Sequence, residues 1–136
     1  IDHNAKELID IVLDIESYPY FIPWCSAMKV HSKSDKEIYA DMIVWYKYFM
    51  PQKFGSHVQF DKKKLNIKTT YIEGPLKDLK TNWIFKSLKK NQTLINFSVE
   101  FEFKRFFHQK IAEAFFPLIE HRMIESFKIR ADEILD

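Results

Sequence analysis

Apolar and polar residues alternate with period two through the middle of the chain, and this alternation predicts β-strands. The clearest run covers 93–104, where one face is apolar (Ile95, Phe97, Val99, Phe101, Phe103) and the other is polar (Asn96, Ser98, Glu100, Glu102, Lys104). A strand of this kind has one buried and one wet face. Weaker alternation predicts five earlier strands, over 27–32, 37–49, 53–60, 65–72 and 79–88, separated by short polar turns.

The two ends of the chain follow a helical period instead. Leu8, Val12 and Ile15 recur at helical spacing, and Asn4 with Glu7 forms a capping-box pattern, so residues 5–15 are predicted to form an amphipathic helix. A second, longer helix is predicted from Phe106 onward. Its apolar positions change sides near Pro117, which predicts a kink or break there.

These elements predict a single α+β domain over residues 1–136. Consecutive hairpins give an antiparallel sheet with one apolar face, and only the last helix is long enough to cover that face. We therefore expect a curved sheet wrapped around a long C-terminal helix, with a cavity where the two diverge.

Composition narrows the classes of function. The chain has 13 Phe, 6 Tyr and 3 Trp but only 2 Gly, so it lacks a glycine-rich phosphate loop or dinucleotide fingerprint. A single cysteine cannot form an internal disulfide, which fits a reducing compartment. No run of about 18 apolar residues is present to span a membrane.

Charge is unevenly distributed along the chain. The net charge is +2, but residues 47–110 carry 14 basic against 5 acidic residues, and the remainder carries 7 against 14. A basic middle between acidic ends indicates an anionic partner, such as a lipid surface or RNA. A solvated, lysine-rich sheet face accounts for the same pattern, and the sequence leaves both interpretations open.

The segment 18–25, Tyr-Pro-Tyr-Phe-Ile-Pro-Trp-Cys, packs four aromatic residues, two prolines and the cysteine into eight positions. The prolines fix φ and remove two backbone donors, so a regular helix or central strand is not expected there. A stiff aromatic loop suits the wall or mouth of a pocket.

Four segments in this order resemble the coenzyme Q-binding proteins of the START-like polyketide cyclase/dehydrase superfamily, a family that also includes the bacterial ribosome-association toxins (RatA). They are 18–25 (YPYFIPWC), 74–85 (GPLKDLKTNWIF), 97–104 (FSVEFEFK) and 123–131 (MIESFKIRA). The resemblance covers nearly the whole chain, although Ser126 stands where alanine is more usual.

The resemblance implies the helix-grip (START-like, SRPBCC) fold. It also implies non-catalytic binding of a polyprenyl quinone, most simply ubiquinone, in a tunnel between sheet and helix, by a carrier or chaperone that supports respiration or quinone synthesis. No catalytic residues, cofactor or metal are implied. Such a protein would be cytoplasmic or peripheral at the inner membrane, on the matrix side in a mitochondrion.

Members of that family carry a strand before the first helix, whereas this chain begins at the helix. If that strand is absent, 93–104 loses a partner and becomes an apolar edge strand, which favours aggregation or dimerisation.

The candidate ligand-binding residues come from three places. The loop contributes Tyr18, Phe21 and Trp24. The sheet contributes Val44, Tyr46, Trp83, Phe97, Val99 and Phe101. The last helix contributes Phe115, Ile119 and Met123. The alternative is that these residues fill the core. A pocket of roughly 300–1,000 Å³ holds a quinone ring and a short length of tail, so a longer tail would emerge at the mouth or remain in lipid.

Two other functions share these motifs. A ribosome-association toxin would bind RNA of the large ribosomal subunit through its lysines and block subunit joining. A polyketide cyclase or dehydratase would need an acid–base group inside the pocket, and the sequence offers no obvious one.

Catalytic and metal chemistry receives little support from the residues. The five histidines are scattered, at positions 3, 31, 57, 108 and 121. Glu120, His121 and Glu125 are expected to form a solvated helix face rather than a metal site. Cys25 beside Trp24 is expected to be a buried structural thiol rather than a nucleophile.

Overall fold

The computed structural model describes residues 1–45, 51–74, 76–103 and 106–135, and side chains at all of these except 103 and 106–119. The elements, in chain order, are α1 (Ala5–Leu13), a 3₁₀ helix (Ile15–Tyr20), β1 (Cys25–Lys33), β2 (Glu37–Val44), β3 (Gln52–Asp61), β4 (Asn66–Glu73), β5 (Leu76–Lys89), β6 (Gln92–Phe103) and α2 (Phe106–Leu135). The predicted order of two helices and six strands is confirmed. Residues 46–49 of the predicted second strand lie outside the described residues.

Helix α1 is shorter than predicted because the chain turns at Asp14 into the 3₁₀ helix. Asn4 caps α1, as expected, by accepting a hydrogen bond from the Lys6 N–H at 3.0 Å. The reciprocal bond of a capping box, from Glu7 back to Asn4, is absent among the described contacts. One apolar face of α1 is buried, through Ala5, Leu8, Ile9, Val12 and Leu13.

The first half of the proline-rich loop is helical, which corrects the expectation of an irregular segment. The 3₁₀ helix runs through Pro19. A 3₁₀ segment this short makes few internal hydrogen bonds, so a missing proline N–H costs little. Of the kink or break predicted at Pro117, a break is wrong, because α2 runs through that residue as one helix.

The sheet is an antiparallel meander in the order β1-β2-β3-β4-β5-β6. The β1–β2, β3–β4 and β5–β6 turns therefore lie at one end, and Trp45, Pro51 and Gly74 lie at the other. Alternate residues of each strand line the concave face toward α2. Cross-strand pairs such as Trp83 with Phe97 place these residues side by side across that face. This architecture is the α+β helix-grip fold.

Residues near the start of the chain tie the sheet to the helices. Backbone atoms of Ile1 and Thr93 exchange two hydrogen bonds, of 2.9 and 2.8 Å, beside the first residues of β6. The Thr93 hydroxyl donates to the His3 carbonyl at 2.7 Å, and His3 Nε2 lies 2.7 Å from Asp132 on the last turns of α2. Beyond the Ile1 pairing, β6 is the edge of the described sheet.

Candidate functional site

The aromatic loop attaches to α2 through a cluster of rings. Phe127 of α2 contacts Tyr18, Phe21 and Trp83 edge-on, with centroids 5.3, 5.1 and 5.1 Å away. The Arg130 guanidinium carbon lies 5.3 Å from the centre of the Phe21 ring, which is cation–π geometry. Tyr18 and Phe21 therefore join the loop to the helix.

Tyr18 is held by a hydrogen bond as well as by packing. Its hydroxyl donates to the Val12 carbonyl at the end of α1. Burial, reinforced by Cys25 and Asp14, raises the pKa of Tyr18 far above its ordinary value. The phenol therefore stays neutral and acts as a structural hydrogen-bond donor.

Trp24 and Cys25 form the junction between the loop and β1. Trp24 is half-buried against the core, and its carbonyl accepts a hydrogen bond from the Trp45 N–H at 3.0 Å. Cys25 is only 4% exposed, and burial raises the pKa of its thiol to about 11. A thiol that is protonated at neutral pH is a poor nucleophile, which agrees with the predicted structural role.

The packing of the concave face loosens along the strands. On β5, Phe85 and Trp83 are buried, whereas Thr81 and Leu79 are half-buried. On β2, Ile38 and Ala40 are buried, whereas Met42 and Val44 are half-buried. Both gradients run toward the end of the sheet where β2 ends and β3 begins, although Leu76 at the start of β5 is buried.

The half-buried apolar residues of this face form a surface that we call the apolar wall. It consists of Met42, Val44, Phe54, Leu79, Phe97, Val99 and Phe101. Trp83 closes the buried side of the wall, with its ring centroid 4.4 Å from that of Phe97. Cross-strand register pairs Val99 with Thr81 and Phe101 with Leu79, so the wall is continuous between β5 and β6.

The structure brings together only part of the predicted set. The apolar wall contains Val44, Phe97, Val99 and Phe101, and Met123 of α2 is half-buried against the core. Phe115 and Ile119 lie on α2 with their side chains outside the described residues, as Tyr46 does entirely. Sequence reasoning missed Met42, Phe54 and Leu79, although strand register could have placed them.

The described histidines lie away from the apolar wall. His31 pairs with Asp41 at 2.6 Å and His57 with Glu37 at 2.8 Å on the convex face, where the His57 ring stacks on Tyr39. His121 is exposed and reaches only Glu125, at 3.6 Å. Within the described ranges no group of three His, Cys, Asp or Glu side chains could hold a metal ion.

Among the described residues, no helix is long and apolar enough to cross a membrane.

Comparison with known proteins identifies a family and its relatives. Residues 1–128 match the family described as "Polyketide cyclase / dehydrase and lipid transport". The ribosome association toxin RatA of Rickettsia prowazekii is 30% identical over 138 residues, covering 99% of this chain and 93% of that protein. The mitochondrial coenzyme Q-binding protein COQ10 of Drosophila melanogaster is 29% identical over 131 residues. The match covers 93% of this chain but only 53% of COQ10, so the chain spans about half the length of that relative.

Solved structures agree on the fold. A START superfamily protein from Mycobacterium smegmatis superposes with a TM-score of 0.86 at 14% identity, covering 98% of this chain and 93% of the other. At this identity the likeness shows the fold alone, and that fold is START-like.

Proposed function

Because the chain belongs to the polyketide cyclase/dehydrase and lipid transport family, we propose that it binds a prenyl quinone of the ubiquinone type, without catalysis, between the sheet and α2. It would act as a carrier or chaperone that shields this ligand from water. The apolar wall is the observation that carries the proposal: it is a half-buried apolar surface, continuous with the core, on the face that α2 covers.

The apolar wall suits a prenyl chain energetically. Burial contributes roughly 0.8 kcal/mol for each CH₂ group, so one five-carbon isoprene unit contributes about 3–4 kcal/mol before the costs of binding. Two units therefore contribute about 6–8 kcal/mol gross, so micromolar binding, which needs about 8 kcal/mol net, also requires contacts to the ring. Bulky side chains such as Phe54 and Phe101 offer large contact areas to such a chain.

The chemistry of the same face supports binding over catalysis. On β2–β6, the described residues of the concave face carry apolar groups and hydroxyls, apart from the Gln52 amide at the start of β3, with no carboxylate, amine or imidazole among them. A cyclase or dehydratase needs a positioned group to move a proton, and none of these side chains does so readily at neutral pH.

The test adds a ubiquinone with two isoprene units to delipidated protein and follows quenching of tryptophan fluorescence. Val99→Trp fills the apolar wall and should weaken binding about tenfold or more, because two units no longer fit beside it. Leu94→Trp is the matched control, since Leu94 lies on the same strand but is 46% exposed on the opposite face. A folded protein that binds no prenyl quinone, or an equal effect of both variants, contradicts the proposal.

A second function, ribosome association, is favoured by the position of the lysines. The three turns at one end of the sheet, residues 33–37, 61–64 and 86–90, carry eight lysines against three acidic residues. All eight lysines are exposed, and we call this surface the basic end. Only Lys62 among them has a carboxylate partner within the described part of the chain, Asp10 at 3.1 Å.

In the folded protein, the basic end includes lysines from outside the basic middle of the sequence. Lys33 and Lys36 precede the basic middle of the chain, yet the meander brings them level with β3, where the Lys36 carbonyl accepts a hydrogen bond from the Phe60 N–H at 3.0 Å. A surface with this excess of exposed lysines fits the phosphate backbone of RNA. This surface and the high coverage of the toxin relative together support the second function.

Co-sedimentation with large ribosomal subunits tests this function. The variant Lys63→Glu/Lys64→Glu/Lys89→Glu/Lys90→Glu should abolish binding at physiological salt. The wild-type affinity should fall steeply as salt rises, because counterions are released from RNA on binding. Lys29→Glu/Lys128→Glu is a control on exposed lysines away from the basic end. Wild-type protein that fails to bind even at low salt contradicts this function, whereas binding to anionic vesicles alone indicates a membrane partner.

A further inference from the structure

Three hydroxyl side chains interrupt the concave face: Ser56 on β3, Thr69 on β4 and Thr81 on β5. They share their strand parity with the buried residues Val58, Ile67 and Trp83, so they belong to the face that α2 covers. Thr69 and Thr81 are direct cross-strand partners. All three side chains are half-buried.

These three hydroxyls have no hydrogen-bond partner among the described residues, unlike Thr70 and Thr93 of the same sheet. Thr70, on the opposite face, donates to the His57 carbonyl at 3.4 Å. Thr93 donates to the His3 carbonyl at 2.7 Å. Partly buried polar groups are normally hydrogen-bonded. These three free hydroxyls, beside the apolar wall, are therefore available to form hydrogen bonds to a bound ligand.

A fourth hydroxyl adjoins them. Tyr71 lies on the same face of β4, opposite Ser56 across the β3–β4 pair. Its oxygen accepts a hydrogen bond from the Leu76 N–H at 2.9 Å, which leaves its own proton available for donation. The centre of the sheet therefore presents a row of hydrogen-bond donors.

We propose that Ser56, Thr69 and Thr81 bind the carbonyl oxygens of the quinone ring, an assignment that rests on the proposed function. A ring that enters an apolar site loses its hydrogen bonds to water, and these donors replace them. The described residues of this face on β2–β6 carry no cation, so the site selects a neutral acceptor over a fatty-acid carboxylate.

The same arrangement sets the direction of the ligand. Beyond Thr69 and Thr81 the face is closed by Ile67 and Trp83, which are 2% and 5% exposed. On the other side it continues into the half-buried residues Leu79 and Phe101. The ring therefore sits innermost, and the prenyl tail leads along the apolar wall toward Val44 at the end of β2.

The experiment compares two probes, a ubiquinone with two isoprene units and the hydrocarbon squalene, on the full chain. Thr69→Val/Thr81→Val should weaken quinone binding about ten- to a hundredfold, at about three- to tenfold per lost hydrogen bond, and should leave squalene binding unchanged. Ser98→Ala, an exposed hydroxyl on the convex face, is the control for Ser56→Ala. The infrared carbonyl band of the bound quinone should shift toward its unbonded frequency in the valine variant.

The outcomes separate the two proposals. Wild-type protein that binds no prenyl quinone overturns the proposed function. Quinone binding that keeps both its affinity and its carbonyl frequency in the valine variant overturns the hydroxyl assignment alone. Equal losses for quinone and squalene also overturn it, because they indicate a collapsed wall rather than lost hydrogen bonds.

Discussion

Gly74 shows how one residue fixes the turn between β4 and β5. Its φ of +147° is a conformation that side chains rarely adopt. A β-carbon at this position would lie 2.8 Å from both the Lys53 carbonyl oxygen and the Tyr71 hydroxyl oxygen. The same Tyr71 hydroxyl accepts the Leu76 N–H, so glycine is needed for the turn and for the hydrogen bond beside it.

Gly74→Ala should destabilise the fold by about 2–4 kcal/mol, because the alanine must adopt a strained φ and displace backbone. Gly55→Ala is the matched control. Its β-carbon would meet the flexible Glu73 side chain at 3.0 Å, with no positive φ to maintain. Urea unfolding measures the free energy of unfolding of both variants. Equal destabilisation would refute the claim that the positive φ at Gly74 requires glycine.

Because the Cys25 thiol is buried, we expect the folded protein to lose stability at alkaline pH. Burial raises its pKa from 9.0 to about 11, so the folded state holds the proton more tightly than the unfolded state does. The stability that comes from this pKa difference is fully present below pH 9 and is lost as pH rises toward 11. The free energy of unfolding should fall by up to about 2–3 kcal/mol. Cys25→Ala should show a shallower decline between pH 9 and 11 in chemical denaturation, and a decline of unchanged slope would contradict this.

The sequence predicted some site residues and missed others for physical reasons. Phe97 and Val99 were predictable because strict alternation places them on the buried face. The free hydroxyls of Thr69 and Thr81 were not, because period-two patterning gives a residue's face but not its hydrogen-bond partner. Their adjacency depends on the register between β4 and β5, which side chains from four other strands and α2 help to set.

At the scale of elements, the C-terminal half of α2 packs the aromatic loop against the sheet. Phe127 touches rings from the loop and from β5, and Ala131 is completely buried one turn later. The small Ala131 side chain lets the helix backbone approach the core closely.

Phe127→Ala should cost about 3–5 kcal/mol, since it removes three ring contacts and leaves a cavity. Ile129→Ala, on the same helix but 52% exposed, should cost less than about 0.5 kcal/mol. Thermal unfolding distinguishes the two, and a small effect at Phe127 would show that α2 docks mainly through other residues.

Element order was predictable, and element ends were less so. The six strands follow from alternation, yet β5 begins three residues before the predicted start because Leu76 pairs with Phe103. The uninterrupted α2 shows that tertiary packing outweighs the local preference of Pro117, which propensity alone cannot reveal.

At the scale of the molecule, the two proposed activities occupy different places. The basic end lies at the three hairpin turns, whereas the apolar wall extends toward the opposite end of the strands. Trp45, which is 59% exposed, follows the last residue of β2 at that opposite end, and Tyr20, which is 82% exposed, lies five residues before the first residue of β1. Aromatic side chains of this kind suit an interface with lipid.

This separation predicts that the two activities can be disabled independently. The four-lysine charge reversal should leave the quinone dissociation constant within about twofold, because exposed charges are screened within roughly a Debye length. Val99→Trp should leave any ribosome co-sedimentation unchanged. Loss of both activities in a folded single-site variant would contradict the separation.

The contacts of His3 and Thr93 bear on how the chain folds. Every strand pairs with its neighbour in sequence, so the meander can form through short loop closures. The contacts of Ile1 with Thr93 and of His3 with Asp132 instead join residues 92 and 129 positions apart. Such distant closures cost more chain entropy, so we expect them to form last and to open first. In hydrogen exchange, the Thr93 amide, which donates to Ile1, should therefore lose protection before the central β3–β4 amides do.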